Sequence, residues 1–313
     1  PEENAILVNT DNIHHEMAVL PNGNMLFLSM ETRVIENWPA SYEQDGETRT
    51  ANVVGDIVVE MTPAGEIVNE WPLHDFLDPY RIGWNSLREN PRYAGKFEEP
   101  AYEWAHANAV IYDERDHSFI VSAAYQDAVV KVSMNTGEII WILGTHDNWR
   151  EPWNDRLLTP VGELEWFWKQ HAPTWTEHGT LLIFDNNALA STPPEPTPPL
   201  ETRRSRAVEY RIDEEAMTVE QVWEYGQDDE LLYAGYLGDV DWLSDSDTVL
   251  ITVGARETDE YGVSVPLRQG QRWATLIEVT HEQPAQKVWH MDLKTDGVGW
   301  AVYRAGRLSG IYP

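Results

Sequence analysis

The stretch HANAVIYDERDHSFIVSAAYQDAVVKVSMNTGEIIW, residues 106–141, contains four short apolar segments separated by polar turns. The segments are AVIYD, SFIVSA, AVVKVS and EIIW, and the last of them ends on Trp141. Short runs of β-branched and aromatic residues between turn residues predict strands joined as antiparallel hairpins. Four such strands that end on an aromatic residue are typical of one blade of a β-propeller.

The same order of segments occurs four times along the chain. The copies begin at His15, at His106, at His171 and near Gly238, and their fourth strands end on Trp71, Trp141, Trp223 and Trp289. A period of roughly 50 residues lies within the range of known propeller blades. The sequence therefore predicts an all-β chain in which residues 1–313 form one β-propeller domain. Because only four repeats are clear, either the ring is small or further blades precede Pro1.

Two segments interrupt the repeats. Residues 72–105 mix polar and aromatic residues, and we expect a short helix there. Residues 191–204, STPPEPTPPLETRR, are rich in proline, which cannot donate to a sheet, so this insertion is predicted to be a surface loop.

Composition excludes several kinds of protein. The 313 residues include no cysteine, which excludes disulfides, thiolate metal sites and cysteine nucleophiles. A formal net charge of −31 argues against nucleic acid as a partner, because phosphate binding needs a basic surface. We also expect no membrane span, since no apolar run is long enough, and a leader peptide, if one existed, is not part of this sequence.

Histidine opens the first strand in three of the four repeats, at His15, His106 and His171, and Gly238 takes that position in the fourth. The first strand of a blade lines the central channel, so these imidazoles are expected to converge there. Each one can also be read as a structural residue bonded to backbone. Clustered histidines could ligate a metal, bind an anion or act as acid, base or nucleophile. The spacing, with no HExxH motif, predicts neither a metal site nor a cofactor.

The segments NIHHEMAVLPNGN, EWAHANAVIYDERDHSFIVSA and WFWKQHAPTWTEHGTLLIFDN resemble the bacterial arylsulfotransferases that do not use phosphoadenosine phosphosulfate. The resemblance runs from about Asn9 to Pro313. It implies a six-bladed propeller in the periplasm that moves a sulfuryl group from a phenolic sulfate ester to a phenol through channel histidines. The predicted location is thus periplasmic or secreted.

The resemblance also suggests individual site residues. His106 in HAN and His171 in QHA match two family positions, and both are predicted to be catalytic together with His15. The predicted substrate-binding residues are His14, Asn108, Arg204, Arg206 and Tyr236. The family arginine that follows FDN is replaced here by NALAST, so Arg203, Arg204 or Arg206 is expected to take its place. The family's sulfated histidine has no counterpart, because no histidine lies between His178 and His281.

Two functions follow from these observations. The retained HAN and QHA motifs favour an aryl-sulfate sulfotransferase that needs no cofactor and has a phenolic sulfate donor and a phenol acceptor as partners. The missing histidine favours a non-catalytic propeller that acts as a binding or assembly module. Either function is compatible with a homo-oligomer.

Overall fold

The computed structural model describes residues 8–10, 12–43, 45–90, 93, 99–226, 232–295 and 299–308. Within these residues the structure is nearly all β, with 47% of residues in strands and 5% in helices, which confirms the predicted class. Contacts divide the chain into two compact units. The first contains residues 1–157 and 192–196, and the second contains residues 158–191 and 197–313.

The first unit contains two antiparallel sheets, each built from one predicted repeat. One sheet has the order β1 (His14–Val19), β2 (Met25–Pro39), β3 (Thr48–Met61), β4 (Ile67–Pro72), and β5 (Ala101–Glu103) runs parallel to part of β3. The other has the order β6 (Ala107–Asp113), β7 (Ser118–Ala123), β8 (Ala128–Ser133), β9 (Ile139–Gly144). A single apolar cluster contains side chains of both sheets, such as Leu28, Trp71 and Phe119, and removal of this surface from water stabilises the unit.

The second unit repeats the plan. One sheet has the order β10 (Thr159–Pro160), β14 (Thr218–Tyr225), β13 (Arg206–Asp213), β12 (Leu181–Asp185), β11 (His171–Trp175), with β10 parallel to β14. The other has the order β15 (Asp239–Leu243), β16 (Thr248–Thr258), β17 (Gln271–Thr280), β18 (Lys287–Leu293). Phe184, Trp223 and Ile251 belong to one apolar cluster that draws on both sheets.

The two segments predicted as insertions differ in local structure. Residues 72–105 contain the helix α1 (Leu73–Phe76) and strand β5. Residues 191–204 are all described, and none of them lies in a strand; a 3-10 turn occupies Leu200–Thr202. Among the described residues, the structure has no helix of the length and apolarity that crossing a membrane requires.

Candidate functional site

The first strand of three sheets carries a bulge close to its histidine. The pairing register shifts between His14 and Met17, between Ala107 and Ala109, and between His171 and Thr174. Left-handed backbone accompanies the bulge, with φ of 59° at His15, 50° at His106 and 49° at Ala172. Bulges re-aim side chains and are common beside active sites. In the third sheet the left-handed residue follows the histidine, so His171 precedes the position that His15 and His106 occupy.

In the first unit, His14 sets the protonation of His15. The carbonyl oxygen of Ser29 lies 3.2 Å from Nε2 of His14 and can only accept, so His14 Nε2 carries a proton. Nδ1 of a neutral His14 then accepts a hydrogen bond from Nδ1 of His15, at 2.7 Å. His15 consequently holds its lone pair on Nε2.

His106 lies beside His15, and a carboxylate determines which tautomer its ring adopts. The two rings meet edge to face with their centroids 5.1 Å apart. Nδ1 of His106 donates to a carboxylate oxygen of Glu103 at 2.6 Å, which leaves Nε2 as the basic nitrogen. Tyr125 stacks on His106 with centroids 4.6 Å apart and fixes the plane of the ring. A base oriented by a third group is the arrangement that nucleophilic and general base catalysis requires.

Asp56, a residue of β3, contacts the chain neighbours of both histidines in this pair. Its buried carboxylate accepts the backbone N–H of Ala107 at 2.8 Å and lies 3.5 Å from Nε2 of His14. Burial raises the pKa of Asp56 to about 7, although the Ala107 hydrogen bond and the charge of His106 oppose the rise. Asp56 therefore changes its charge near neutral pH, directly behind the histidines.

Arg88, which the sequence analysis did not single out, also reaches this site. Burial and the charge of Glu103 raise the pKa of Tyr125 to about 12, while the Arg88 guanidinium beside the hydroxyl opposes the rise. The Arg88 side chain is exposed, and it places a positive charge at the hydroxyl of the tyrosine that stacks on His106. No sequence motif indicates Arg88, because this residue belongs to the 72–105 segment and comes close to Tyr125 only when the chain is folded.

A cleft of about 550 Å³ in the first unit is lined by aromatic side chains and by two arginines. Both arginines already contact other protein groups. Arg81 donates to the backbone oxygens of Gln126 and Asp147, and Arg150 pairs with Asp78. Burial lowers the pKa of Arg81 to about 10, against the charges of nearby aspartates. Because carbonyls and a carboxylate already take these guanidinium groups, the cleft is a poorer anion site than the histidine pair.

In the second unit, His171 is held in the same protonation pattern. Nδ1 of His171 donates to the amide oxygen of Asn186 at 2.6 Å, so Nε2 carries the lone pair. The Asn186 amide nitrogen donates to the backbone oxygens of Ala234 and Leu237, each at 2.7 Å, which fixes the orientation of the amide. The sequence motif FDN ends on this asparagine.

The geometry explains why the fourth repeat has no histidine at Gly238. Gly238 has φ of 130°, and a Cβ placed there would lie 2.3 Å from the ring of Phe184. Any side chain would thus collide with a buried aromatic residue of the neighbouring sheet. Glycine is required at this position by sterics.

The predicted substrate-binding residues of the second unit are engaged in other contacts. Arg206 is fully buried, where its guanidinium pairs with Asp185 at 3.0 Å and Glu224 at 2.6 Å. Burial acts to lower the pKa of Arg206, but the charge of Asp185, followed by Tyr210 and Glu165, raises it overall. Arg204 donates to backbone oxygens of Glu201 and its own neighbour. Arg206 thus has the surroundings of a structural ion pair.

Tyr236 and Asn108 lie in different environments. Tyr236 is half-buried, and the Arg272 guanidinium is 5.8 Å from its ring centroid. Burial raises the pKa of Tyr236, and the charge of Arg272 opposes this. Asn108 is fully buried in β6, next to the histidine pair in sequence.

Comparisons with known proteins show the family of this chain. The family model for arylsulfotransferase (ASST) matches residues 2–304. The arylsulfate sulfotransferase AssT of Escherichia coli O6:H1 is 29% identical over 255 residues, which cover 68% of this chain and 40% of that protein. AssT of Lelliottia amnigena is 26% identical over 251 residues, which cover 67% of this chain and 41% of that protein. The chain thus spans about two fifths of the length of these curated relatives.

Among solved structures, Kuenenia stuttgartiensis hydrazine synthase is 9% identical, with 96% of this chain and 71% of that chain covered, at a TM-score of 0.39. This structural similarity is too weak to support a conclusion about the fold. The family match extends over nearly the whole sequence, and the protein therefore belongs to the arylsulfotransferase family.

Proposed function

We propose that this chain transfers a sulfuryl group from a phenolic sulfate ester to a phenol at the His15–His106 pair of the first unit. The observation that carries the proposal is the Glu103–His106 hydrogen bond, which presents the basic Nε2 of His106 beside a second imidazole. Family membership supports the reaction class. We also propose that each of the four sheets is one blade of a propeller, as the resemblance implies.

His106 is proposed as the nucleophile. Its Nε2 attacks sulfur, the bond between sulfur and the aryl oxygen breaks, and the leaving phenolate takes up a proton from water. The oxygen of the acceptor phenol then attacks the sulfur of the sulfated imidazole, His15 Nε2 accepts the phenolic proton, and the bond between sulfur and Nε2 of His106 breaks, which restores the free imidazole. Sulfuryl transfer resembles phosphoryl transfer in its loose transition state, so positioning and charge stabilisation of the three equatorial oxygens matter most. Arg88 provides the local positive charge that an anionic ester needs on a protein with a net charge of −31.

Turnover of a chromogenic aryl sulfate, with and without added phenol, tests the proposal. Phenol-dependent release is expected for a transferase, and release without phenol would identify a sulfatase instead. The variant His106→Asn should lower the rate by 10²-fold or more, on the order expected for loss of a covalent or acid–base group. His117→Asn is the matched control, because His117 lies exposed in a turn of the same sheet.

A trapped intermediate tests the covalent step separately. Incubation with an aryl sulfate in the absence of phenol should add one sulfuryl group to the wild type and none to His106→Asn, as measured by intact mass. An adduct that persists in His106→Asn but disappears in His15→Asn or His171→Asn would move the nucleophile to that residue. Transfer without any adduct would instead indicate direct transfer.

Glu103 is predicted to act by positioning His106. In Glu103→Gln the amide can donate to Nδ1, which favours the tautomer with its proton on Nε2 and removes the nucleophilic lone pair. The rate should fall on the order of 10²-fold, and the lower limb of the pH–rate profile should shift. A rate and a profile unchanged from the wild type would contradict this role.

A non-catalytic binding module is the second candidate. The sequence has no histidine between His178 and His281, where the family resemblance places its sulfated residue, and Phe184 excludes a side chain at Gly238. Absence of both turnover and adduct with several aryl sulfates would favour this candidate over the enzyme.

Location and assembly are proposed from the resemblance. We propose a periplasmic or secreted protein, for which fractionation of the native host is the test. Size-exclusion chromatography with light scattering distinguishes a monomer from the homo-oligomer that the sequence allows.

A further inference from the structure

Three turns of the second unit bring metal-ligating side chains together, away from the histidines described above. His178 lies in the turn between β11 and β12, Asp247 lies in the turn between β15 and β16, and His281 directly follows β17. One donor atom from each of the three residues lies within 4.8 Å of the other two.

Glu209 determines the tautomer of His281. Its carboxylate, buried in β13, accepts hydrogen bonds from the Thr180 hydroxyl and from Nε2 of His281. Nε2 therefore carries the proton, and Nδ1 is the nitrogen that can bind a cation. A histidine whose second nitrogen donates to a carboxylate is the usual arrangement of a metal-bound imidazole, because the carboxylate orients the ring and raises its basicity.

Trp242 forms a wall that orients both imidazoles. Its ring lies edge to face against His178 and His281, with centroids 4.8 Å and 4.5 Å apart. The two histidine rings are nearly parallel, 7° apart in orientation and 5.8 Å between centroids. Trp242 thus holds both imidazoles on the same side of its ring. Because the two rings are already oriented, less side-chain entropy is lost when a metal ion binds.

We propose that His178, Asp247 and His281 bind a divalent transition-metal ion such as Zn²⁺. Zinc is bound by imidazole nitrogen and carboxylate oxygen at about 2.0–2.2 Å, which implies separations of roughly 3.3–3.5 Å between donors in a tetrahedral site. Nε2 of His178 is 4.0 Å from the Asp247 carboxylate, too far for a hydrogen bond. A small rotation about the side-chain bonds of these two residues closes the site around an ion.

Charge and exposure favour a bound cation. The carboxylates of Asp247 and Glu209 face two imidazoles that bind metal in their neutral form. The side chains of His178 and Asp247 are 56% and 74% exposed, so an ion reaches the site from solvent and keeps water in its remaining position. The ligands come from three separate turns, which is why no spacing motif in the sequence indicates the site.

Titration of the full chain with ZnCl₂ after removal of metal by a chelator tests the proposal. Isothermal titration calorimetry should give one more bound zinc per chain for the wild type than for His178→Ala, Asp247→Asn or His281→Ala, or an affinity at least about 10-fold higher at that site. His117→Ala is the control, since it removes an exposed turn histidine from the first unit and should leave the titration unchanged.

The three variants guard against loss of folding as an explanation. His178 and Asp247 are exposed, so their variants should keep the wild-type melting temperature in the absence of metal, and zinc should raise that temperature only in the wild type and the control. Two results would overturn the site. One is wild-type stoichiometry and affinity in all three variants. The other is a wild type that binds no more zinc, and no more tightly, than the variants do.

Discussion

At the scale of single residues, three histidines share one protonation pattern although their partners differ. His15, His106 and His171 each donate from Nδ1, to an imidazole, a carboxylate and an amide oxygen respectively. The lone pair therefore lies on Nε2 in all three. A uniform tautomer means that each ring presents the same chemistry at its far nitrogen, as nucleophile, base or anion-binding imidazolium.

The buried carboxyl group of Asp56 predicts a pH-dependent stability. Because burial raises its pKa to about 7, the folded protein retains a proton that the unfolded chain releases above about pH 4. The contribution of Asp56 is thus fully present below about pH 4 and is lost as the pH rises through 7. The expected loss is up to about 1.4 kcal/mol of unfolding free energy per pH unit in this window.

Comparison with Asp56→Asn isolates this effect, because the asparagine oxygen can still accept from Ala107. Urea unfolding at pH 5 and pH 8 should show that wild-type stability falls more between the two values than that of the variant. Parallel changes in both proteins would mean that Asp56 titrates normally.

At the scale of elements, the sheets differ in how deeply the tryptophan of the fourth strand is buried. Trp141 in β9 is fully buried, whereas Trp289 in β18 is 40% exposed. The positions are equivalent in the repeat, so the sequence pattern does not separate them. The surroundings of the two strands do separate them: five of the six residues of β9 are buried, whereas six of the seven residues of β18 are exposed.

This difference predicts unequal costs of truncation. Trp141→Ala removes a fully buried aromatic side chain and should lower the free energy of unfolding by about 3–5 kcal/mol. Trp289→Ala is the matched control, and its cost should be below about 1.5 kcal/mol, since much of that ring already contacts water. Chemical denaturation of both variants checks the prediction, and equal costs would contradict it.

At the scale of the whole molecule, the dominant feature is the excess of acidic residues. The chain has 53 Asp and Glu against 22 Lys and Arg. Such a charge keeps a protein soluble but destabilises its compact state through self-repulsion. Buried cations such as Lys131, which pairs with Asp113 at 2.9 Å, offset only part of it.

The charge predicts that salt stabilises this protein. The Debye length falls from about 30 Å at 0.01 M to below 8 Å above physiological ionic strength, so repulsion among surface carboxylates should be screened. The urea midpoint should therefore rise between 0.01 M and 0.5 M NaCl at pH 8. A midpoint that falls with salt would show that attractive ion pairs outweigh the repulsion.

The sequence by itself determined the strand content, the repeated strand pattern and the acidic character of this protein, because these follow from local alternation, turn residues and composition. It also singled out His15, His106 and His171, each of which lies within one residue of the start of a first strand. Only the tertiary structure decided their partners: Glu103 and Tyr125 around His106, Arg88 beside them, and carboxylates around Arg206. The reason is physical. Burial, tautomers and pKa shifts arise from contacts between residues distant along the chain, and the loops that deliver them carry no periodic pattern.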